Sequence, residues 1–201
     1  LFPYTTLFRS YGLHFRLVAA ADSRGAALCP DGLDIAAVRD IKLARGSVAG
    51  LQGYGCPGLT AQDMLAQADI DVLVDASPTN LNDGEPGMSC ALAAIERGAH
   101  VVFANKGPLV LAYQTIMEQA ATHGSKVLYS GTVAGGLPTV NLGLRDLAGS
   151  QVTRVEGIFN GTTNYILTCM AQQQLSYAEA LEGAQAAGIA EADPTLDVDG
   201  W

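Results

Sequence analysis

Positive charge is what this chain has least of. Eleven Lys and Arg stand against 20 Asp and Glu in 201 residues, a formal net charge of −9. Without a basic stripe there is no electrostatic footprint for nucleic acid or an anionic membrane surface, so neither is expected as a partner. Long apolar runs are missing too, and no stretch nears the roughly 20 residues of a membrane-spanning helix. Leu1–Ser10 has no charged start, apolar core or cleavage site, so no secretory leader is expected there. The cysteines Cys29, Cys56, Cys90 and Cys169 contain no C-x-x-C pair, which argues against zinc and redox motifs. Reduced, mostly buried thiols and a cytoplasmic setting are expected instead. His14, His100 and His123 are scattered and form no Ser–His–Asp order.

What is present is a foldable core: 49% hydrophobic against 15% charged residues. Glycine is abundant, 23 residues, against a usual share of about 7%. That excess suggests tight turns and close backbone approach to a ligand. Leu1–Ser10 (LFPYTTLFRS) shows no period and is left unassigned, extraneous in the sense that no later element needs it. Phe15 to Ala21 predicts a buried strand closed by Asp22, and Asp34 to Arg45 a helix stopped by Gly46. Gly50 to Gly58 reads as loop, and Thr60 with Asp63 as the cap of a short helix. A regular alternation follows. Strands are predicted at 70–76, 100–104 and 126–130, with helices at 86–97 and 109–123 between them. One crossover helix between successive strands is the pattern of a buried parallel sheet. After Ser130 the rhythm changes: a Gly-rich loop, a short helix over 140–147, a strand over 152–159, and helices capped by Asn160 and Ser176.

Open parallel sheets bind ligands beyond the carboxyl ends of their strands. Asp22, Ser23 and Arg24 follow the first strand, where an acidic residue can grip a ribose and an Arg a 2′-phosphate; the alternative is a solvated turn. Ser77, Thr79 and Asn80 follow the next and offer hydroxyls and an amide to a ribose or pyrophosphate, or form an ordinary turn. Lys106, one of three lysines, follows the third. Beside a nicotinamide its ammonium could orient a carbonyl oxygen or share its proton. The backbone carbonyls around Val133, Gly135 and Leu137 suit a hard monovalent cation, or simply turn the chain. Asn160–Asn164 (NGTTN) places amides and hydroxyls at a helix N-terminus, a carboxylate site or a plain cap. Glu191, Asp193, Asp197 and Asp199 put four carboxylates in nine residues, able to hold an ammonium group or to remain a solvated turn.

Together these segments resemble homoserine dehydrogenase. The matching motifs are ADSRG (21–25), DGLD (31–34), SPTN (77–80), GEP (84–86), ANKGPL (104–109), TVAGGLP (132–138), the stretch from Val155 through NGTTNYILTCM to Met170, and AGIAEADPTLDVDG (187–200). They run in the family's order from about residue 12 to the end. NGTTNYIL and EADPxxDxxG in one chain are the specific pair.

The resemblance implies a truncated Rossmann-type parallel sheet over residues 11–130, an NAD(P)-binding part, and the start of an α+β substrate and dimerisation domain over 131–201. It implies reversible hydride transfer between NADP(H) or NAD(H) and aspartate 4-semialdehyde, giving L-homoserine on the route to threonine, methionine and isoleucine. Ser77 and Lys106 would contact the cofactor or the reacting end. Gly161, Thr162, Glu191 and Asp197 would line the amino-acid site, and carbonyls of Val133, Gly135 and Leu137 would hold a sodium-like ion. A homodimer is implied for the full-length protein. Three departures accompany the match. The family's first strand and Gly-rich loop are expected upstream, Ser130 stands where the family often has a metal-binding Glu, and the main catalytic Asp and Lys are expected beyond Trp201. The chain by itself is therefore expected to be an inactive internal fragment. The competing readings are another two-domain NAD(P)-dependent dehydrogenase of amino acids or sugars, and a non-catalytic interaction module.

Overall fold

The computed structural model describes residue 12, residues 14–133, 137–190 and 194. The chain divides into two compact units, Leu1–Leu128 and Tyr129–Trp201.

The first unit contains two separate three-stranded sheets. In one, β1 (Ala19–Asp22), β2 (Gly25–Leu28) and β3 (Gly55–Pro57) run as an antiparallel meander. The strand expected over 15–21 is thus shorter and shifted; it pairs with β2, a segment with no expected element, and β2 pairs in turn with β3 inside the expected 50–58 loop. Its sheet is not the parallel one. GAAL and GCP carry little strand propensity; what makes them strands is close packing of small side chains. Ala26 and Ala27 are fully buried on opposite faces. Ala26 packs with Met64, Leu65 and Cys90, and Ala27 with Cys29, Leu33 and Val48. Gly25 has φ +148°, and a Cβ there would lie 2.4 Å from the Cys56 carbonyl oxygen. Only glycine lets β2 come that close to β3.

Helix α1 (Ile35–Arg45) starts where Asp34 accepts from the Ala36 and Ala37 amides and ends at a left-handed Gly46. Helix α2 (Ala61–Gln67) is capped by Thr60, whose hydroxyl oxygen accepts from the Asp63 amide.

The second sheet is parallel: β4 (Val72–Asp75), β5 (His100–Phe103) and β6 (Val127–Leu128). Helices α3 (Gly87–Glu96) and α4 (Gly107–His123) are its crossovers. Ile95, Val101, Phe103 and Ile116 are its largest fully buried apolar side chains. Arg97, just past α3, donates to the Leu65 and Ala68 carbonyls and so satisfies the end of α2. The alternation of strand and helix is the expected Rossmann-like plan.

In the second unit a short helical stretch, Thr139–Asn141, runs into a π-helical turn, Leu142–Asp146. Helices α5 (Gly161–Gln173) and α6 (Tyr177–Ala186) form a hairpin around Ile166, Cys169, Ala180, Ala184 and Ala190. Ser176 and Glu179 make a reciprocal capping box. The strand expected over 152–159 is not formed. Val155 is 70% exposed and Phe159 56%. A strand needs a hydrogen-bonded neighbour, and the described residues of this unit contain no other strand.

All four cysteines are free, and Cys29, Cys90 and Cys169 are buried as expected. No described helix is long and apolar enough to cross a membrane.

Candidate functional site

At the carboxyl ends of β4 and β5 the first unit builds a buried polar cluster. Asp75 ends β4 and is 7% exposed; Asn105 follows β5 and is 2% exposed. Asp75 Oδ1 accepts from the Ser77 amide at 3.0 Å and the Ser77 hydroxyl at 2.7 Å. Asn105 Nδ2 donates to Asp75 Oδ2 at 3.0 Å and to Ser77 Oγ at 3.1 Å. Asn105 Oδ1 in turn accepts from the Gly107 amide at 2.9 Å. The backbone closes the same junction: the Ala104 amide donates to the Asp75 carbonyl at 2.8 Å.

Two helix N-termini meet here. Gly87, the first residue of α3, packs so tightly on the cluster that a Cβ would lie 2.2 Å from Asp75 Oδ2. The positive end of that helix faces the carboxylate, a favourable placement. Gly107 opens α4 directly after Lys106. Cys90, on α3, is buried and lies near the Asp75 and Glu85 carboxylates; burial first, then these charges, push its thiol up to about 11. It stays protonated and unreactive at neutral pH.

Ser77 is therefore pinned rather than free to rotate. Asn80 shapes the following loop: its Nδ2 donates to Asp83 Oδ1 at 2.6 Å and its Oδ1 accepts from the Asn82 amide at 3.0 Å. Thr79 is exposed. Lys106 is exposed as well, and its ammonium has no partner among the described residues, so it is available to a ligand. Ser77, Asn80 and Lys106 thus share one end of the parallel sheet. Asp75 and Asn105 are the residues that sequence reasoning passed over. A carboxylate closing an apolar strand (VLVD) was the available signal for the first; the Asn beside Lys106 was the signal for the second.

Asp22, Ser23 and Arg24 sit in the β1–β2 turn of the antiparallel sheet. Both oxygens of Asp22 are engaged. Oδ1 accepts from the Arg24 amide and the Ser47 hydroxyl, each at 2.9 Å; Oδ2 accepts from Lys42 Nζ at 2.7 Å and the Val48 amide at 2.8 Å. Burial opposes ionisation of this carboxyl, but Lys42 and the three other donors outweigh it and hold the group well below the usual carboxylate range. Arg24 donates to the Arg45 carbonyl at 3.1 Å. A ribose hydroxyl at Asp22 would compete with donors already in place.

In the second unit Asn160 Oδ1 accepts from the Thr163 amide at 2.9 Å and caps α5. Gly161 is exposed at the first position of that helix. Thr162 is 5% exposed, and its hydroxyl donates to the Ile189 carbonyl at 3.1 Å. This bond ties the NGTTN turn to the chain two residues before Glu191. Glu191 and Asp197, named for the amino-acid site, lie outside the described residues, as does Gly135 of the carbonyl set. Of that set, the Val133 carbonyl accepts from the Thr139 hydroxyl at 3.2 Å, and Leu137 is exposed. Among the described residues, Thr139 takes one of the two lone pairs of the Val133 oxygen.

Residues 32–130 match the family model described as the homoserine dehydrogenase NAD-binding domain, and residues 138–201 match the one described as homoserine dehydrogenase. A homoserine dehydrogenase of Methanocaldococcus jannaschii is 40% identical over 186 residues, covering 92% of this chain and 55% of that protein. An NAD(+)-dependent homoserine dehydrogenase of Pseudomonas canavaninivorans is 38% identical over 190 residues, covering 94% and 53%. Among solved structures, a homoserine dehydrogenase of Thermoplasma acidophilum superposes with a TM-score of 0.78 at 30% identity, over 98% of this chain and 58% of that one. The chain spans about half the length of the curated relatives it matches.

Proposed function

The chain belongs to the homoserine dehydrogenase family, and from that premise we propose that the full-length enzyme containing it interconverts L-homoserine and L-aspartate 4-semialdehyde with NAD(P)(H). The observation that carries the reading is Lys106, an ammonium with no partner among the described residues, at the ligand end of a parallel sheet, next to a serine held in place by buried carboxamide and carboxylate groups. That donor set suits a nucleotide: a hydroxyl and a cation outside two helix N-termini. Bound NAD(P)H supplies the hydride. This chain's residues bind, orient and stabilise, alongside the catalytic Asp and Lys expected beyond Trp201. Ser77, with Thr79 and Asn80 in its loop, orients the cofactor. Lys106 offsets negative charge as it develops on the carbonyl oxygen. In the second unit the α5 N-terminus, through Gly161 and Thr162, favours the substrate carboxylate, and Glu191 and Asp197 pair its ammonium.

The finer points belong to the same proposal. A sodium-like ion on the carbonyls of Val133, Gly135 and Leu137 would steady the loop before Thr139. Asp22, Ser23 and Arg24 are proposed to flank the cofactor's ribose, whose hydroxyl would take the place of one of the donors that Asp22 now holds. A homodimer and a cytoplasmic setting complete the picture, the latter supported by four unpaired cysteines.

The test is steady-state turnover by the full-length enzyme, offered homoserine, aspartate and sugar alcohols with NAD+ or NADP+, following formation of the reduced nicotinamide. Homoserine is expected to be oxidised in clear preference to the others. Preference for aspartate or a sugar alcohol would overturn the proposal.

A further inference from the structure

A carboxylate at the end of a buried strand is costly, since losing its hydration must be offset by hydrogen bonds. Asp75 is 7% exposed and has no cationic side chain bonded to it among the described residues. An aliphatic residue would end β4 at less cost if packing were all that mattered. What Asp75 gains is control over its neighbours. Its Oδ1 sets both the backbone and the hydroxyl rotamer of Ser77. Its Oδ2 fixes which way the Asn105 carboxamide points. Once Nδ2 of Asn105 faces Asp75, Oδ1 must face the other way, where it takes the Gly107 amide. That amide begins α4 and follows Lys106, whose side chain has no partner among the described residues to orient it.

Resting on the functional reading above, we infer that Asp75 and Asn105 are a positioning pair: neither touches the cofactor, and together they set Ser77 and the backbone of Lys106 for NAD(P)(H) binding. The polarity of the chain makes the inference sharp. Asp75→Asn must place its NH2 group either against the Ser77 amide or against the Asn105 NH2 group, two donors facing each other in both cases. Turning the Asn105 carboxamide over relieves the second clash only by presenting its NH2 to the Gly107 amide. One buried donor is left without an acceptor in every arrangement. Adding Asn105→Asp to the same chain cures both faults. The carboxamide introduced at position 75 can then donate to the carboxylate introduced at position 105, whose second oxygen accepts from Gly107. The buried charge is unchanged in sign and number.

The experiment compares the wild-type full-length enzyme, Asp75→Asn and the double variant Asp75→Asn/Asn105→Asp, measuring NAD(P)H affinity by ligand fluorescence and the melting temperature of each apo protein. Asp75→Asn is expected to weaken NAD(P)H binding about tenfold, the order expected when one buried donor loses its acceptor. The double variant should recover to within about threefold of wild type, as a pairwise coupling requires. An Asp75→Asn protein that melts lower yet binds NAD(P)H as wild type does overturns the inference, as does a double variant that binds no better than the single one. If Asp75→Asn does not fold, Asn105→Ala takes its place, and unchanged NAD(P)H affinity in that variant overturns the inference equally. A wild-type enzyme that takes up no NAD(P)H at all would instead bring down the functional reading, and the inference with it.

Discussion

Two helix N-termini bear the residues proposed for ligand contacts, α4 in the first unit and α5 in the second, and each is held by different means. At α4 the Gly107 amide is reached through a chain of side chains, buried Asn105 to buried Asp75 and half-buried Ser77. At α5 the described ties are local: the Thr162 hydroxyl donates to the Ile189 carbonyl, and Asn160 caps the helix through the Thr163 amide. The first arrangement is redundant and cooperative, so it resists the loss of any single bond but not a change of shape or polarity at its centre. The second is a local staple within the second unit, and it is expected to loosen without disturbing α6.

The largest way to break this contrast is Gly87→Ala. The new methyl would lie on Asp75 Oδ2 at 2.2 Å and on Asn105 Nδ2 at 2.8 Å. Neither group can withdraw without giving up its partners. A loss of about 3 kcal/mol is expected, the upper end for overpacking, read from denaturant unfolding. A cost under about 0.5 kcal/mol, the size of an ordinary surface change, would show that the cluster yields easily.

Lys106→Ala separates site from scaffold. Its side chain is exposed and unpartnered among the described residues, so stability should stay within about 0.5 kcal/mol. Turnover in the full-length enzyme should fall about a hundredfold, the order contributed by a positioned proton donor or charge. A collapse of melting temperature at normal activity per folded molecule would make Lys106 structural instead.

Thr162→Val probes the α5 side of the comparison. It keeps the shape and strips the donor from a nearly buried position. About 1 kcal/mol should be lost, with limited proteolysis showing cleavage near Ile189 before any change in α6. Uniform destabilisation of both helices would mean that the staple is not local.

The smallest effect is expected at Lys42→Met, and it depends on pH. The folded-state pKa of Asp22 is depressed, so its contribution to stability is present above the carboxyl's ordinary range and is lost as pH falls toward the folded value. Without Lys42 that depression shrinks. The variant should lose up to about 1 kcal/mol near neutrality and show a flatter fall of melting temperature between neutral and acidic pH. A parallel displacement of the whole curve would mean that Lys42 does not act through Asp22.

Much of this fold could be read locally. Asp34, Thr60, Asn160 and Ser176 announce helices because a cap is written within four residues of itself, and Gly46, Gly124 and Gly188 announce their ends in the same way. The parallel strands were legible because each is a continuous apolar run between helices. The antiparallel meander was not, because GAAL and GCP become strands only through partners up to about 30 residues away. The reverse error occurred over 152–159, where alternation is present and a neighbouring strand is not. At the site, Lys106 stood out as a rare cation in a telling place. Asp75 and Asn105 did not, since their meaning lies in a bond across a whole crossover helix.

Asp22 receives donors from the β1–β2 turn, from α1 and from the short turn at Val48. Three segments distant in sequence therefore share a single fastener, and they should open as one. The amide protons of Arg24 and Val48 are then expected to exchange with solvent at a common rate, each set by the same subglobal opening rather than by its own depth below the surface.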